Sequence, residues 1–108
     1  MERKLNIFIS YANEDYELVE PFYNRLRNLG LNPWMDKKNI LPGMDWEKSI
    51  WKAVKESDIV LIFLSKSSTI KHGFLQKEIK RVLDLCEKKL EDDIYLIPIR
   101  ILLSLALT

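Results

Sequence analysis

Glycine is scarce in this chain. Only three glycines, Gly30, Gly43 and Gly73, occur among 108 residues. Neither of the glycine-rich phosphate-binding patterns, GxGxxG and GxxxxGK[ST], can be formed from these positions. The sequence therefore excludes the usual dinucleotide-redox fingerprint and the P-loop.

Histidine and cysteine are each present once, as His72 and Cys86. Neither residue has clustered partners with metal-ligand spacing, so we expect no metal site. Cys86 lies on the apolar side of a predicted helix and is interpreted as a buried structural thiol, and His72 as a loop residue. A lone cysteine cannot form an internal disulfide, which fits a reducing compartment.

The chain has no excess of charge of either sign. It carries 17 basic and 16 acidic side chains, a net charge of +1, and therefore lacks the strongly basic footprint of a nucleic-acid-binding protein. The sequence shows no secretory signal, no basic amphipathic segment for a membrane surface, and no apolar run of the ~20 residues that span a bilayer. We expect a cytoplasmic protein without nucleic-acid or membrane partners.

Apolar runs alternate with segments that repeat apolar residues every three to four positions, which predicts the order βαβαβαβ. Such an order indicates a parallel sheet with helices on both faces. The run IVLIFL is apolar at every position, as in a central strand that is covered on both sides. The predicted strands are 5–9, 32–35, 59–64 and 94–101, and the predicted helices are 14–29, 46–56 and 74–90.

Helix-capping residues define the predicted boundaries. Asn13 is expected to cap the first helix, Gly30 to end it, and Asp45 to cap the second. The start of the first helix has two interpretations: exposed amides that hold a phosphate, or simply a well-capped helix. The segment 36–44 is predicted to be a loop, with a turn at Pro42-Gly43.

Prolines and tryptophans give further expectations. Pro33 indicates an edge strand, and Pro98 indicates a bulge or a free edge. Trp46 and Ile50 share one helix face and are predicted to pack inward. Trp51 lies off that face and is either a partner contact or half covered.

Ligands of parallel sheets bind beyond the carboxyl ends of the strands, here segments 10–14, 36–45 and 65–74. A phospho-accepting site would need an acid after the central strand, but that strand is followed by Ser65. Asp36 and Asp58 do not complete the acidic pattern either. We therefore exclude a receiver-like phosphorylation site.

Glu78 lies near the start of the third predicted helix. A helix N-terminus favours an ionised acid, so we expect a carboxylate and not a proton donor. Such a group suits binding a sugar hydroxyl or stabilising positive charge on a ribose. The pattern alone favours an ordinary surface acid, and both interpretations remain open at this point.

The ordered motifs of the chain resemble the TIR (Toll/interleukin-1 receptor) domain, most closely its bacterial and archaeal members. The matching segments are IFISYANED, LGLNPWMDKKNILPGMDWEKSI, SDIVLIFLSKSS, GFLQKEI and YLIPIRI. The resemblance covers nearly the whole chain. It implies a flavodoxin-like α/β fold with a parallel sheet of about four strands in the order 2-1-3-4.

The resemblance also implies a reaction. Many TIR domains of this type hydrolyse the nicotinamide–ribose bond of NAD+, giving nicotinamide and ADP-ribose or a cyclised form. By the motif, Glu78 would be the catalytic carboxylate. Phe74 stands where many members carry tryptophan and would pack beside the nicotinamide. NAD+ would be the substrate, and no cofactor is implied.

Further site residues follow from the same resemblance. The residues after the first strand would line the nucleotide, namely Ser10, Tyr11, Ala12 and Asn13. One wall of the site would be formed by Asp36, Leu41, Pro42 and Gly43. Ser65, which follows the central strand, would face the ligand. Some relatives carry basic residues near the phosphates where this chain has Ala12 and Asn13.

The resemblance implies a single domain over residues 1–108 that acts in defence or signalling and assembles with other copies of itself. The last strand and helix of the family are expected to be missing, with an atypical tail at 102–108. Two other functions remain open: a non-catalytic adaptor that binds other TIR domains, and a small-ligand-binding remnant.

Overall fold

The computed structural model of the protein describes residues 4–66, 77–88 and 95–100. The described strands are β1 (Asn6–Ser10), β2 (Asn32–Trp34), β3 (Ile59–Leu64) and β4 (Tyr95–Arg100). They form a parallel sheet in the order β2-β1-β3-β4, which confirms the predicted order. The chain places β2 on one side of β1 and β3 on the other, and this switch in strand order creates the crevice in which ligands of the fold class bind.

Helices cover both faces of the sheet. They are α1 (Tyr16–Asn28), the single-turn α2 (Asp36–Asn39), α3 (Trp46–Glu56) and α4 (Lys77–Lys88), with a 3-10 turn at Asn13–Asp15 before α1. Side chains alternate along a strand, so the two central strands, β1 and β3, contribute to both cores. The α1 side packs Val19 and Tyr23 on Ile9 and Phe63. The opposite side packs Ile50, Val54, Ile79 and Val82 on Phe8, Val60 and Ile62.

Two of the three predicted caps are confirmed. Asp45 Oδ1 accepts a 2.9 Å hydrogen bond from the amide of Lys48, and Gly30 follows α1 with a φ of +85°. The prediction for Asn13 is wrong, because Asn13 lies inside the 3-10 turn and neither this turn nor α1 has a side-chain cap. Asp15 directly precedes α1, but its carboxylate is buried and accepts a hydrogen bond from Ser65 instead.

The predicted loop over 36–44 is also wrong in its first half, where α2 forms. The amide of Asn39 donates to the carbonyl of Met35 and that of Ile40 to Asp36, at 2.9 and 2.8 Å. The side-chain oxygen of Asn39 also accepts a 3.0 Å hydrogen bond from the amide of Met35. One turn of helix is too short to show apolar periodicity, so the sequence pattern does not reveal it.

The prolines lie as expected, since Pro33 in β2 and Pro98 in β4 occupy the two edge strands of the described sheet. Cys86 is buried, which confirms a structural thiol. Ile50 packs inward as predicted, but Trp46 does not, because 40% of its surface is exposed.

Within the described ranges, no helix is long and apolar enough to cross a membrane.

Candidate functional site

A cavity of about 220 Å³ opens beside the carboxyl ends of β1 and β2. Trp46 and Ile50 of α3 and Val82 of α4 close its other side. This is the sheet edge at which the fold class binds ligands. The lining residues come from all four elements and the segments after them: Phe8, Ile9, Ser10, Tyr11, Asn13, Trp34, Asp36, Trp46, Ile50 and Val82.

One side of the cavity is aromatic and apolar. The rings of Phe8 and Trp34 stack at 4.9 Å between centroids with an interplanar angle of 13°. Ile50 and Val82 bring the apolar faces of α3 and α4 to the same space. A planar aromatic ring fits such a wall.

The polar side of the cavity is built on Asp36. The hydroxyl of Tyr11 donates a 2.6 Å hydrogen bond to Asp36 Oδ1, and the amide of Lys37 donates to the same oxygen at 2.8 Å. Burial raises the pKa of Tyr11 well above its ordinary value, and the hydrogen bond to Asp36 raises it further. Tyr11 therefore stays a neutral donor and holds the carboxylate in one orientation.

Contacts to α1 hold α2, and with it Asp36, in place. Lys38 forms an ion pair with Glu20, which also accepts a 3.0 Å hydrogen bond from the hydroxyl of Tyr16. The ammonium of Lys37 lies 4.6 Å from the ring centroid of Tyr16. The hydrogen bond from Lys38 lowers the pKa of Glu20, so this acid remains ionised at neutral pH. Sequence analysis missed this support, because its partners lie on separate elements.

The segment after α2 is a tight, exposed turn. The amide of Met44 donates to the carbonyl of Leu41 at 3.1 Å, Pro42 follows Leu41, and Gly43 has a φ of +90°. Proline second and a positive-φ glycine third are typical of a type II turn. Leu41 is 64% exposed, and none of these residues lines the cavity.

The predicted site residues fall into two groups. Four of them line the cavity together: Ser10, Tyr11, Asn13 and Asp36. The others lie elsewhere: Ala12 is fully buried in the core, Leu41, Pro42 and Gly43 form the exposed turn, and Ser65 donates its hydroxyl to buried Asp15. Phe74 lies outside the described residues.

Glu78 is the second residue of α4, and its side chain lies outside what the structure describes. Its position in the helix is nevertheless informative. Val82 follows four residues later, so the two positions share one helix face, one turn apart. Val82 lines the cavity. The position of Glu78 thus lies one helical turn before a residue of α4 that lines the cavity.

Comparison with known proteins identifies the family. The family model of the TIR domain matches residues 7–105. The chain belongs to the TIR domain family. The solved TIR domain of the Toll-related receptor TRR-2 from Hydra magnipapillata shares the fold of this TIR domain, with a TM-score of 0.70 and 20% identity. That comparison covers 88% of this chain and 69% of the receptor domain.

A relative of known designation matches a shorter stretch. This TIR domain is 32% identical over 66 residues to a probable 2' cyclic ADP-D-ribose synthase, TcpO, from Methanobrevibacter olleyae. The match covers 60% of this chain and 19% of the relative. The matched stretch thus spans about a fifth of that protein's length.

Sequence reasoning missed the apolar half of the site. Phe8, Trp34, Ile50 and Val82 were assigned only to strands and helix faces, and Trp46 was placed in the core. Phe8 and Trp34 share a position near the carboxyl ends of their strands, at the predicted ligand-binding edge. Ile50 and Val82 lie on the helix faces that pack toward the same edge. This shared location emerges only once the strand order is known.

Proposed function

We propose that this TIR domain cleaves the bond between nicotinamide and ribose in NAD+, with Glu78 as the catalytic carboxylate. The products are nicotinamide and ADP-ribose or a cyclic ADP-ribose. The observation that carries the proposal is the position of Glu78, one helical turn before Val82 at the cavity. The designation of the archaeal relative as a probable cyclic ADP-ribose synthase supports NAD+ as substrate.

The chemistry requires little from the protein. The C1′–N bond breaks with its electron pair going to the pyridinium nitrogen, so nicotinamide leaves as a neutral ring without an acid. The ribose is left with an oxocarbenium-like charge, which a nearby carboxylate stabilises. Water then attacks C1′ and loses a proton, giving ADP-ribose; attack by a group of the ADP-ribose itself gives the cyclic form.

The remaining cavity groups have roles in binding. The stacked Phe8 and Trp34 offer an apolar wall to the nicotinamide ring. The carboxylate of Asp36 has one oxygen engaged by Tyr11 and Lys37. Its other oxygen is the acceptor that we assign to a hydroxyl of the nicotinamide ribose. An acceptor held in one orientation positions the sugar relative to Glu78.

The cavity alone is too small for the whole of NAD+. About 220 Å³ is below the range of roughly 300–1,000 Å³ that drug-sized ligands occupy, and NAD+ is larger than most of them. We propose that a second copy completes the site and contributes its exposed turn at Leu41–Met44.

The cellular role that we propose is cytoplasmic defence signalling through NAD+ consumption.

Incubation of concentrated protein with NAD+ tests the proposal. Nicotinamide release by the wild-type chain that rises more than linearly with protein concentration is the expected result. Absence of nicotinamide at every concentration contradicts the proposed activity.

The exposed turn supports a second candidate, a non-catalytic adaptor. Leu41 and Met44 present 64% and 48% of their surfaces to solvent beside a rigid Pro42-Gly43 corner. Such a patch suits contact with another TIR domain. An adaptor would self-associate, lose association when Pro42 is replaced, and release no nicotinamide. Turnover by the wild-type chain distinguishes the two functions.

A further inference from the structure

A second concave surface adjoins the cavity. It is a groove of about 410 Å³ between the starts of α3 and α4. We call it the α3–α4 groove. Its lining residues are Trp46, Glu47, Lys77, Lys80, Arg81 and Asp84. Its volume lies within the range of small-molecule sites.

The charges of the groove have a definite arrangement. Lys77, Lys80 and Arg81 are spaced three and four residues apart, so they project from one face of α4. Glu47 and Asp84 add two acids, which leaves the α3–α4 groove with more cations than anions. The three cations therefore lie together on the wall of the groove that α4 contributes.

Trp46 connects the groove to the cavity. It is the first residue of α3, and it lines both spaces. With 40% of the surface of Trp46 exposed, its indole is accessible to a ligand. An aromatic surface beside cations is typical of sites that bind a base and its phosphates together.

The cavity and the groove have complementary chemistry. Among the described residues, the cavity is lined by aromatic, aliphatic and uncharged polar side chains and by one acid, Asp36, and by no lysine or arginine. A dinucleotide has one half with a planar ring and ribose, and another with a base, and these are joined by two phosphates. The cavity suits the first half, and the lysines and the arginine of the groove offer the charge-assisted contacts that phosphates favour.

We propose that the α3–α4 groove binds the adenosine diphosphate half of the substrate. Lys80 and Arg81 contact the phosphates, and Trp46 stacks on the adenine. The identity of the ligand rests on the proposed NAD+ cleavage, whereas the preference for a nucleoside diphosphate rests on the groove alone. The groove thus supplies the positive charge that Ala12 and Asn13 do not provide after β1.

The test measures ADP binding to the 108-residue chain by titration calorimetry at low ionic strength. The variant Lys80→Ala/Arg81→Ala is expected to weaken ADP binding about tenfold or more, through the loss of two charge-assisted contacts. Trp46→Leu is expected to weaken it about fivefold or more through lost stacking. The matched control is Lys52→Ala/Lys55→Ala, which removes two exposed cations of α3 outside the groove and is expected to leave the affinity within about twofold.

A kinetic measurement on the same variants separates binding from chemistry. Lys80→Ala/Arg81→Ala should raise KM for NAD+ by a similar factor and leave kcat nearly unchanged. Equal ADP affinity in the wild-type chain, the groove variant and the control overturns the inference, and so does a lack of ADP binding by the wild type. A wild type that binds ADP through the groove but releases no nicotinamide contradicts only the proposed reaction. Circular dichroism confirms that each variant is folded.

Discussion

The hydroxyl of Tyr11 donates to Asp36 Oδ1 across 2.6 Å. The first residue after β1 is thereby joined to the first residue of α2, and both line the cavity. Tyr11 is only 8% exposed, so its hydrogen bond is shielded from competing water. The carboxylate therefore stands in one orientation before any ligand arrives.

Tyr11→Phe should lower the efficiency of NAD+ cleavage without unfolding the chain. The substitution keeps the ring and removes the donor, so Asp36 loses its orientation at the site of ribose binding. A hydrogen bond to a charged group contributes about 1.5–3 kcal/mol, which corresponds to a loss of roughly tenfold or more in kcat/KM. Tyr95→Phe, on a side chain that is 70% exposed, is the matched control. Equal activity of the two variants would show that the contact has no role in the reaction.

The same pair gives a pH dependence of stability. The pKa of Tyr11 is raised in the folded protein by burial and by Asp36, whereas the unfolded chain keeps a value of about 10. The folded state thus retains a proton that the unfolded state loses. The stabilisation is complete below pH 10 and declines as the pH rises from there toward the folded pKa. Above pH 10, Tyr11→Phe should therefore lose stability less steeply than the wild type in urea unfolding. Parallel profiles would contradict a raised pKa.

Much of this architecture is predictable, because burial leaves a clear pattern in the sequence. IVLIFL is apolar throughout since β3 is covered on both sides, and Asp45 and Gly30 have the residue types that helix ends require. The family resemblance supplies the strand order, which periodicity alone does not.

The details that build the site are less visible. Single-turn α2 has no periodicity, and its anchoring depends on partners far along the chain, such as Glu20 for Lys38. Asp15 directly precedes α1, yet its carboxylate turns inward and accepts a hydrogen bond from Ser65, fifty residues away. Trp46 has the spacing of a core residue yet remains partly exposed, because it lies where α3 begins, at the mouth of two concave surfaces.

Glu78→Gln should abolish nicotinamide release while leaving the fold intact. The amide has nearly the same shape but cannot stabilise positive charge at C1′, and an electrostatic contribution of this kind is commonly worth a factor of about 10²–10³ in kcat. The loss of a favourable charge at the start of α4 costs only about 0.3–1 kcal/mol. Glu87→Gln, an exposed acid in the last turn of the same helix, is the control. Activity retained by Glu78→Gln would remove Glu78 from its assigned role.

Gly43→Ala tests whether the turn at Leu41–Met44 serves assembly. Gly43 has a φ of +90°, and a methyl group there meets no described atom within 4 Å, so the substitution acts through backbone strain alone. Left-handed backbone costs an L-residue roughly 1–2 kcal/mol, and the turn should relax to another shape. Because this turn is the segment that we assign to a neighbouring copy, both self-association and concentration-dependent NAD+ cleavage should weaken.

Gly30→Ala is a closely matched control for this strain. Gly30 has a φ of +85° and equally open surroundings, but it follows α1 and lies outside the turn. Both variants should lose a similar amount of stability in chemical unfolding, whereas only Gly43→Ala should shift sedimentation toward the monomer. If the two variants associate and turn over NAD+ alike, the effect is general destabilisation and the turn does not contact a second copy. Selective loss in Gly43→Ala places the turn at the interface, because strain of the same size elsewhere leaves assembly unchanged.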